Sequence, residues 1–436
     1  MAGDVKVAVV SGPISSSGTG TADFIKSGFG TPKACIVLLS FDTVDDTGVA
    51  GEGRASTGLS DFTNHRCISH QDEDLESKVD CDSRKSATKA YEILSNAPGV
   101  IDINGTASAI TDGVRLTNTT NLPALAVFAT IIMFGGADLQ ISLDSISLGN
   151  GVDLNTVVTT GIPQDLVFFI GTDISAEDST SSGINNSFGV ADISNDQATI
   201  VNRCMGWISD HNSTVGAPAS IIRNDRCLKV LTEAGVDDWG IELTAATATS
   251  YTVTTRDVTP GAGMEVYALA LNLDDRGSKV GSVDGPVEPE TTWTPAVALG
   301  FTPQYVGLGL THAAVENTIV LDLDAGGHGI SSNTGAGEES FHGWYNEDAS
   351  ADMNTNNNFR SRVIDFRNHD VTVIVHDQSH LSFNSGGWSY TVNDINELTA
   401  RKWFYWAIEE PAAGATPVSN TVVAKHEALQ EIRQTV

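Results

Sequence analysis

The sequence is short of positive charge. It holds 24 Lys and Arg residues against 55 Asp and Glu residues, which gives a formal net charge of −31 at pH 7. A surface of that sign repels phosphate backbones, so the composition argues against nucleic acid as a partner. Only 18% of the residues are charged and 40% are hydrophobic, which indicates a folded protein with an acidic surface rather than a disordered polyanion.

Cysteine is also scarce. The five cysteines are an odd number, form no CxxC pair and show no Cys/His spacing typical of a zinc site. We therefore predict reduced, mostly buried thiols in a protein made in a cytoplasm. A disulfide between Cys67 and Cys81 is left open by the sequence. The five positions are Cys35, Cys67, Cys81, Cys204 and Cys227.

Export and membrane signals are missing as well. Met1–Val10 has no basic segment followed by a long apolar one, so no signal peptide is expected. The most apolar stretch, Leu122–Gly136, is shorter than the ~20 residues that a spanning helix needs, and Pro123 interrupts its start. We predict no membrane span, and we interpret this stretch as a buried strand.

No catalytic signature is present, since the chain lacks a GxSxG elbow, an HExxH helix, a Walker loop and a placed GxGxxG. Asp322 and Asp324 begin like a calcium loop, but Gly326 breaks the pattern. His376 and His380 are four residues apart on a strand-like stretch, where that spacing does not align two rings. We predict no catalytic residues, no cofactor and no metal. A glycosidase pair, two carboxylates ~5–10 Å apart, stays open as an alternative.

What the sequence does contain is a threefold internal repeat. A glycine, a bulky apolar residue and a nearby proline precede a strand-like run at three places, with the glycines 133 and 139 residues apart. This spacing is that of a domain rather than of a solenoid turn. The three marker turns contain Gly28, Phe29 and Pro32; Gly161, Ile162 and Pro163; and Gly300, Phe301 and Pro303.

Other features keep the same phase. "MGWISD" at Met205–Asp210 and "HGWYNED" at His342–Asp348 correspond to "CISHQDED" at Cys67–Asp74, and "NHRC" corresponds to "VNRC". Trp207 and Trp344 therefore occupy equivalent positions, which we expect to be loops. Each indole is a candidate contact for a sugar or receptor, or for packing and assembly.

Short runs rich in Val, Ile, Thr and aromatics, bounded by Gly, Asn, Asp and Ser, predict β structure throughout, with seven or eight strands per repeat. We predict an all-β protein of three tandem antiparallel β-sandwich, jelly-roll-like domains plus a short C-terminal helix. Ser86–Ser95 is a candidate connecting helix. The predicted domains are residues 1–138, 139–285 and 286–412, followed by a linker and helix at 413–436.

The third copy combines Gly300-Phe301-Thr302-Pro303, Gly386-Gly387-Trp388 with Tyr390-Thr391-Val392, and the closing run Trp403–Ile408. With these residues, the repeat unit resembles the β-sandwich repeats of tailed-virus virion proteins of the decoration, tail and fibre type. Gly28-Phe29 with Pro32 carries the resemblance in the first copy. The second copy departs, since Ile162 replaces the Phe and its turn is one residue shorter. The resemblance implies a structural or adhesive virion protein without catalytic residues.

We therefore expect a non-enzymatic virion structural protein of a tailed virus, made in the host cytoplasm and exposed as a capsid decoration, vertex appendage or tail component. Its expected partners are other virion proteins and further copies of itself, because such proteins usually form symmetric oligomers. A carbohydrate- or receptor-binding adhesin that uses Trp207 and Trp344 is the first alternative. A glycan-cleaving enzyme is the second.

Overall fold

A computed structural model describes most of the chain up to Pro411. The described residues are 4–43, 47–50, 52–73, 80–97, 99–193, 199–209, 218–232, 237–257, 260–261, 263–274, 276–321, 323–332, 338–348, 353–367 and 374–411. They form antiparallel β-sheets and contain no helix, which confirms the all-β prediction. The predicted helix at 413–436 lies outside the described residues.

The strands fall into three sets of eleven, which we call repeats 1, 2 and 3. Repeat 1 comprises β1 (Lys6–Pro13), β2 (Thr21–Ile25), β3 (Pro32–Ser40), β4 (Thr47–Ala50), β5 (Glu52–Ser60), β6 (His65–Glu73), β7 (Asp80–Ser86), β8 (Tyr91–Leu94), β9 (Ile101–Ile110), β10 (Gly113–Asn121) and β11 (Phe128–Gly135). Repeat 2 comprises β12 (Gln140–Ser147), β13 (Asn155–Thr159), β14 (Leu166–Thr172), β15 (Ser179–Ser182), β16 (Ile184–Ile193), β17 (Ile200–Ser209), β18 (Ala219–Arg223), β19 (Leu228–Leu231), β20 (Asp237–Thr247), β21 (Ser250–Asp257) and β22 (Glu265–Asn272). Repeat 3 comprises β23 (Ser278–Asp284), β24 (Thr292–Trp293), β25 (Pro303–Thr311), β26 (Val320–Leu321), β27 (Leu323–Ser332), β28 (Glu339–Asp348), β29 (Met353–Arg360), β30 (Ile364–Arg367), β31 (Ile374–Asn384), β32 (Gly387–Ile395) and β33 (Lys402–Glu409).

All three repeats have the same sheet topology. In each, the first, eleventh, third, fifth, sixth and seventh strands form one sheet, and the second, tenth, ninth and eighth form a four-stranded sheet. The apolar closing runs that the sequence marks are the eleventh strands β11, β22 and β33, each placed between the first and third strands. The threefold repeat in the sequence is therefore matched by a threefold repeat of the sheet topology.

Each fourth strand leaves its own repeat and completes the six-stranded sheet of another. β15 of repeat 2 pairs with β7 of repeat 1, β26 of repeat 3 pairs with β18 of repeat 2, and β4 of repeat 1 pairs with β29 of repeat 3. Each repeat thus gives one strand to a second repeat and receives one from the third. The three repeats therefore form a closed ring with a pseudo-threefold axis.

Four large hydrophobic cores hold the ring together. In each repeat the two sheets contribute side chains to one shared core, for example Phe24 with Val37 in repeat 1 and Val253 with Phe169 in repeat 2. The fourth, which we call the central core, joins side chains from all three large sheets, such as Ile36, Phe168 and Trp406. The large sheets are consequently buried on both faces, which explains why their strands read as continuous apolar runs.

A glycine at one equivalent position lets the two sheets of every repeat approach closely. A Cβ on Gly58, Gly189 or Gly329 would lie 1.8, 2.0 or 2.3 Å from a backbone carbonyl oxygen. These oxygens belong to Ala90, Cys227 and Val363, each the residue before the eighth strand. Any side chain at these places would push the sheets apart.

The ring has two distinct ends. At the turn end, the marker turns meet the hairpins between the ninth and tenth strands, as when the Asp112 N–H donates to the Gly30 carbonyl. At the opposite loop end, the connections from tenth to eleventh strand meet those after the third, as when the Phe128 N–H donates to the Asp42 carbonyl. Cys81 of repeat 1 contacts Ser209 of repeat 2 at 3.3 Å, both near the loop end, so the repeats point the same way.

The marker turns behave as the sequence indicates. Gly28, Gly161 and Gly300 have positive φ values of 77°, 74° and 81°, a conformation that favours glycine. Pro32 and Pro303 are the first residues of β3 and β25, where the missing N–H costs no ladder bond. Phe29 is buried in its repeat, Phe301 packs against its own core, and Ile162 and Pro163 lie in the shorter turn of repeat 2.

Three sequence-based expectations are wrong. Ser86–Ser95 is no helix, because its apolar residues Tyr91–Leu94 form the buried strand β8. Trp207 and Trp344 lie on the long strands β17 and β28 rather than in loops. Each repeat has eleven strands rather than seven or eight, because the polar, glycine-rich middle segments form β5, β6 and their equivalents. The predicted domain boundaries stay predictions; β23, which precedes residue 286, pairs with β33.

Candidate functional site

Trp207 and Trp344 meet on the axis of the ring. Their ring centroids are 4.4 Å apart, and they are only 2% and 5% exposed. The pairing register makes His70 their counterpart in repeat 1, since Cys67, Cys204 and Phe341 each pair with the last residue of a seventh strand. His70 contacts both indoles edge-on, with centroid distances of 5.8 and 5.5 Å. The indoles therefore join repeats, and they offer no exposed platform for a sugar.

Two further histidines extend this cluster. His328 is 2% exposed, contacts Phe188 edge-on at 4.6 Å, and has no hydrogen-bond partner on either ring nitrogen among the described residues. His342 lies one strand away on β28, opposite His328. Burial lowers the pKa of His70, His328 and His342 to about 3, with mutual repulsion as the second cause for the latter two. All three are therefore neutral at pH 7.

The contact between two consecutive repeats, which we call a seam, is built around an arginine in two of three cases. At the first seam, between repeats 1 and 2, the Arg66 Nε–H donates to Ser145 Oγ at 2.8 Å. Its Nη1 donates to the carbonyls of His65 and Ala87. At the second seam, between repeats 2 and 3, Arg203 makes the same three contacts, with Ser282 at 2.7 Å and with the carbonyls of Asn202 and Asn224.

The closing seam, between repeats 3 and 1, has Ser340 at the arginine position. Ser340 Oγ is hydrogen-bonded to Thr130 Oγ1, which also contacts Ser11 Oγ at 2.8 Å. His342 bridges the same two repeats, with Nδ1 2.7 Å from Ser40 Oγ and Nε2 2.7 Å from Thr130 Oγ1. This seam uses hydroxyl groups and one imidazole instead of a guanidinium.

A second set of equivalent positions shows the same contrast. At the first seam the fully buried Lys85 Nζ donates to the Glu265 carbonyl at 3.3 Å and lies 3.9 Å from the Glu177 carboxylate. At the closing seam the equivalent positions are Phe359 and Phe128, whose rings stack 4.6 Å apart. The closing seam is thus the more apolar of the two.

Glu177 and Glu265 are the described carboxyl pair that comes nearest to an acid–base dyad. They are hydrogen-bonded to each other, and burial together with this bond raises the pKa of Glu177. The hydrogen bonds from Glu177 and Ser147 lower the pKa of Glu265. A pair in direct contact leaves no room for the sugar that separates glycosidase carboxylates by ~5–10 Å. The pair serves the first seam, where Lys85 and Tyr267 also bind it.

Repeat 3 carries a cleft of about 590 Å³ between its first and second strands. The cleft forms because β24 has two residues, whereas β2 and β13 have five; Pro295 follows Trp293 by two positions and cannot continue the ladder. Its rim carries Asp284 and Glu290, while Trp293 is only 4% exposed. The other lining residues are Ser282, Val283, Gly285, Val287, Thr292, Thr294, Pro295, Ala296 and Ala400.

Beside this cleft, Glu397 is clasped by three side chains. His376 Nε2 lies 2.9 Å from one carboxylate oxygen, His312 Nε2 bonds the other, and Arg401 donates to both at 2.6–2.9 Å. These partners hold the pKa of Glu397 far below its usual range despite the opposing effect of burial. His376 thus serves a structural clasp, while His380 packs against Phe383.

The loop end carries most of the exposed apolar surface. Nine large apolar side chains are exposed in the described residues, and only Ile25 and Val157 lie elsewhere, on β2 and β13. Leu122 and Leu398, 67% and 81% exposed, occupy the same connection in repeats 1 and 3. The remaining residues of this loop-end patch are Val100, Val152, Leu154, Val315 and Leu321.

The surroundings of the loop-end patch are acidic. Asp284, Glu288, Glu290 and Asp394 are exposed there in repeat 3, and Asp153 in repeat 2. Four cations of this end are each paired with a carboxylate: Arg54 with Asp102, Arg256 with Asp153, Arg401 with Glu397 and Lys402 with Asp284.

The remaining sequence candidates do not form a site. The described residues contain no group of three or more His, Cys, Asp and Glu side chains arranged to hold a metal ion. Asp322 lies outside the described residues. All five cysteines are buried and free, so the disulfide between Cys67 and Cys81 is not formed. Within the described chain there is no helix of a length and apolarity suited to crossing a membrane.

Sequence reasoning missed the residues that matter most at the seams. Arg66 and Arg203 stand in the in-phase "NHRC" and "VNRC" segments, so the signal was there, but a repeat alone does not say which residues cross between copies. His342 directly precedes the glycine–tryptophan pair of the third copy. Comparison with protein-family models, with curated proteins and with solved structures found no match for this chain.

Proposed function

We propose that this protein is a non-enzymatic structural protein of a tailed-virus particle, a capsid decoration, vertex appendage or tail component that serves as a single-chain equivalent of a homotrimer. The observation that carries the proposal is the closed exchange of the fourth strands around one axis. A chain with three equivalent sides matches a partner that itself offers three equivalent sites, and such sites occur at the symmetry axes of oligomeric assemblies.

The packed interior of the ring supports a structural role rather than a catalytic one. Its axis is filled by aromatic and aliphatic side chains, and the polar groups of the three seams bind across the seams. We further infer that each repeat is an antiparallel β-sandwich of its two sheets. Its first three and last two strands alternate between the sheets as in a jelly roll, while the eighth to tenth form a meander.

The loop-end patch is the surface that we propose for contact with the particle. Exposed apolar side chains from all three repeats surround the axis there, and exposed carboxylates accompany them. Isolated apolar residues are normal on a surface, and the gathering of seven of them at one end of the ring supports an interaction site there. The acidic surroundings fit a particle protein whose three contact sites carry Lys or Arg, because opposite charge steers such an encounter.

The experiment is reconstitution on particles of the encoding virus that lack this protein. We expect the wild type to bind at a threefold or pseudo-threefold position, seen by cryo-electron microscopy, and Leu122→Asp with Leu398→Asp to weaken binding at least tenfold. Ile25→Asp, at a 49% exposed apolar position away from the loop end, is the control and should bind like the wild type. Absence of binding by the wild-type protein would refute the proposal.

A glycan- or receptor-binding role is the second candidate, and the cleft of repeat 3 is the observation that favours it. Its volume lies in the range of small-ligand sites, and hydroxyl and carboxylate groups line it. The indoles of Trp207 and Trp344 play no part, because both are buried. The test is binding of the protein to a glycan array. Binding that is lost in the double variant Glu290→Gln with Thr292→Val would favour this role, and the absence of binding to any glycan would eliminate it.

A further inference from the structure

The closing seam is the one place where the ring can open without breaking the chain. Short segments join β11 to β12 and β22 to β23, so the first and second seams are crossed by the backbone. Repeats 3 and 1 have no such link. They are held by β4 on β29, by the central core and by the hydroxyl and imidazole groups of the closing seam.

The three buried histidines lie along this opening line. His342 of repeat 3 bonds Ser40 and Thr130 of repeat 1. His70 of repeat 1 contacts Trp344 of repeat 3. His328 belongs to repeat 3 and faces Phe188 of repeat 2 across the axis. Separating repeat 3 from repeat 1 would expose His342 and the Trp344 side of His70 to water, and it would open the axis beside His328.

We propose that the closing seam is an acid-sensitive latch, in which protonation of His70, His328 and His342 releases repeat 3 from repeat 1 while each repeat stays folded. A charged imidazole loses most of its hydration in the closed ring, and the open ring restores it. The described contacts of the three imidazoles include no carboxylate, although Asp72, two residues beyond His70 on β6, is also buried. Asn186 and the two indoles surround His70, Phe188 and Trp344 contact His328, and Ser40, Thr130 and Phe359 surround His342.

Further charged groups bear on the same seam, where Lys26 of repeat 1 forms an ion pair with Glu338 of repeat 3. Asp42 of repeat 1 is buried there, and its pKa is raised by burial, with the Phe359 N–H and Arg360 of repeat 3 acting in the opposite direction. Arg360 forms an ion pair with Asp365 inside repeat 3. Protonation of Asp42 removes a buried charge and therefore favours the closed ring as the pH falls. Protonation of Asp42 thus acts in the opposite direction to protonation of the histidines. Variants of the histidines are therefore needed to show which groups open the ring as the pH falls.

The size of the effect follows from linkage. A histidine with an ordinary pKa of about 6.5 in the open ring and about 3 in the closed ring shifts the ratio of open to closed molecules about thirtyfold at pH 5. The shift is absent at pH 7.5, where both forms are neutral. It develops as the pH falls below about 6.5 and ends near pH 3.

Hydrogen exchange with mass spectrometry on the full chain at pH 7.5 and pH 5.0, corrected for the intrinsic exchange rates, tests the latch. The three exchanged strands serve as internal comparisons. We expect the β4–β29 ladder to lose protection at pH 5.0 while the β15–β7 ladder, at the chain-linked first seam, keeps it. His328→Leu and His342→Gln should each reduce opening at pH 5.0 about thirtyfold. His380→Gln, a partly exposed histidine outside the seams, is the matched control.

A second measurement on the wild type keeps the proposal testable if a variant fails to fold. Small-angle X-ray scattering of the wild type should show a larger radius of gyration at pH 5.0 than at pH 7.5, while the far-ultraviolet circular dichroism of the strands stays unchanged. An unchanged radius of gyration, simultaneous loss of all three ladders, or an unchanged β4–β29 ladder at pH 5.0 would overturn the latch.

Discussion

The second seam and the closing seam occupy equivalent places in the ring but differ in chemistry. At the second seam Arg203 binds Ser282 of the next repeat and two backbone carbonyls of its own. At the closing seam Ser340 and His342 are hydrogen-bonded to Thr130 of the next repeat, and Phe359 stacks on Phe128. The same fold therefore tolerates either an arginine or a group of hydroxyls with one imidazole at these equivalent positions. The backbone pairing that closes the ring does not depend on either.

The largest effect should come from the interior of a repeat, where all three copies agree. Gly189→Ala places a methyl group 2.0 Å from the Cys227 carbonyl oxygen, so the two sheets must separate. We expect a loss of about 3–5 kcal/mol in the free energy of unfolding, measured by chemical denaturation. Gly12→Ala, with no atom closer than 3.7 Å to the new methyl group, should cost less than about 1 kcal/mol. Equal losses would contradict the close approach.

Removing the guanidinium tests the contrast between seams directly. Arg203→Ala deletes three charge-assisted hydrogen bonds and leaves the carbonyls of Asn202 and Asn224 without that donor. We expect a loss of about 2–4 kcal/mol by chemical denaturation, and a similar loss for Arg66→Ala. Ser340→Ala, at the equivalent place in the closing seam, should cost about 1 kcal/mol. A loss for Ser340→Ala as large as that for Arg203→Ala would remove the proposed difference between the seams.

The Glu397 clasp supplies a pH dependence that must be distinguished from that of the histidines. Its pKa is lowered on folding, so its contribution is complete above about pH 4.5 and is lost as the pH falls below that value. We expect Glu397→Gln to cost about 1–3 kcal/mol at pH 7 and to flatten the melting temperature between pH 4.5 and pH 3. Between pH 6.5 and pH 5 the variant should lose stability more steeply than the wild type, because burial lowers the pKa of His376 and Glu397 opposes that effect. An unchanged slope in that upper range would show that Glu397 does not support His376.

The smallest effect should be at Thr130, where a single hydroxyl joins Ser11, Ser340 and His342. Thr130→Val keeps the shape and removes the hydroxyl, so we expect a loss of about 1 kcal/mol in thermal unfolding at pH 7.5. Thr130→Ser keeps the hydroxyl and is the control, with a smaller loss. If valine is as stable as threonine, the hydroxyl network contributes nothing to the closing seam.

The comparison of copies in the sequence predicted the apolar strands but not the polar, glycine-rich ones, because alternation and apolar runs record burial locally. The marker glycines and the closing runs at β11, β22 and β33 are where the pattern indicated them. Position on a strand or in a loop was harder to predict for Trp207 and Trp344. Glycine and acidic neighbours usually indicate turns, but here the glycines sit in long, wide sheets that pack on two sides.

The candidate sites depended on contacts between residues far apart in the chain. The cleft exists because one proline ends a short edge strand, which a repeat comparison could have raised as a question but not answered. The buried histidines gave no signal of their own. His328 lies among glycines in the sequence and His342 follows Phe341, and only the ring brings Phe188 and Thr130 against them.

By itself the sequence determined that the chain is β-rich and acidic and contains three copies of one unit, because these properties reside in composition and in local periodicity. Only the tertiary structure decided that the three copies form a ring. That outcome depends on which repeat receives each fourth strand, and backbone hydrogen bonds between strands are not specific to side-chain identity. It also decided that the two in-phase tryptophans are buried, since burial depends on what the neighbouring repeats place against them.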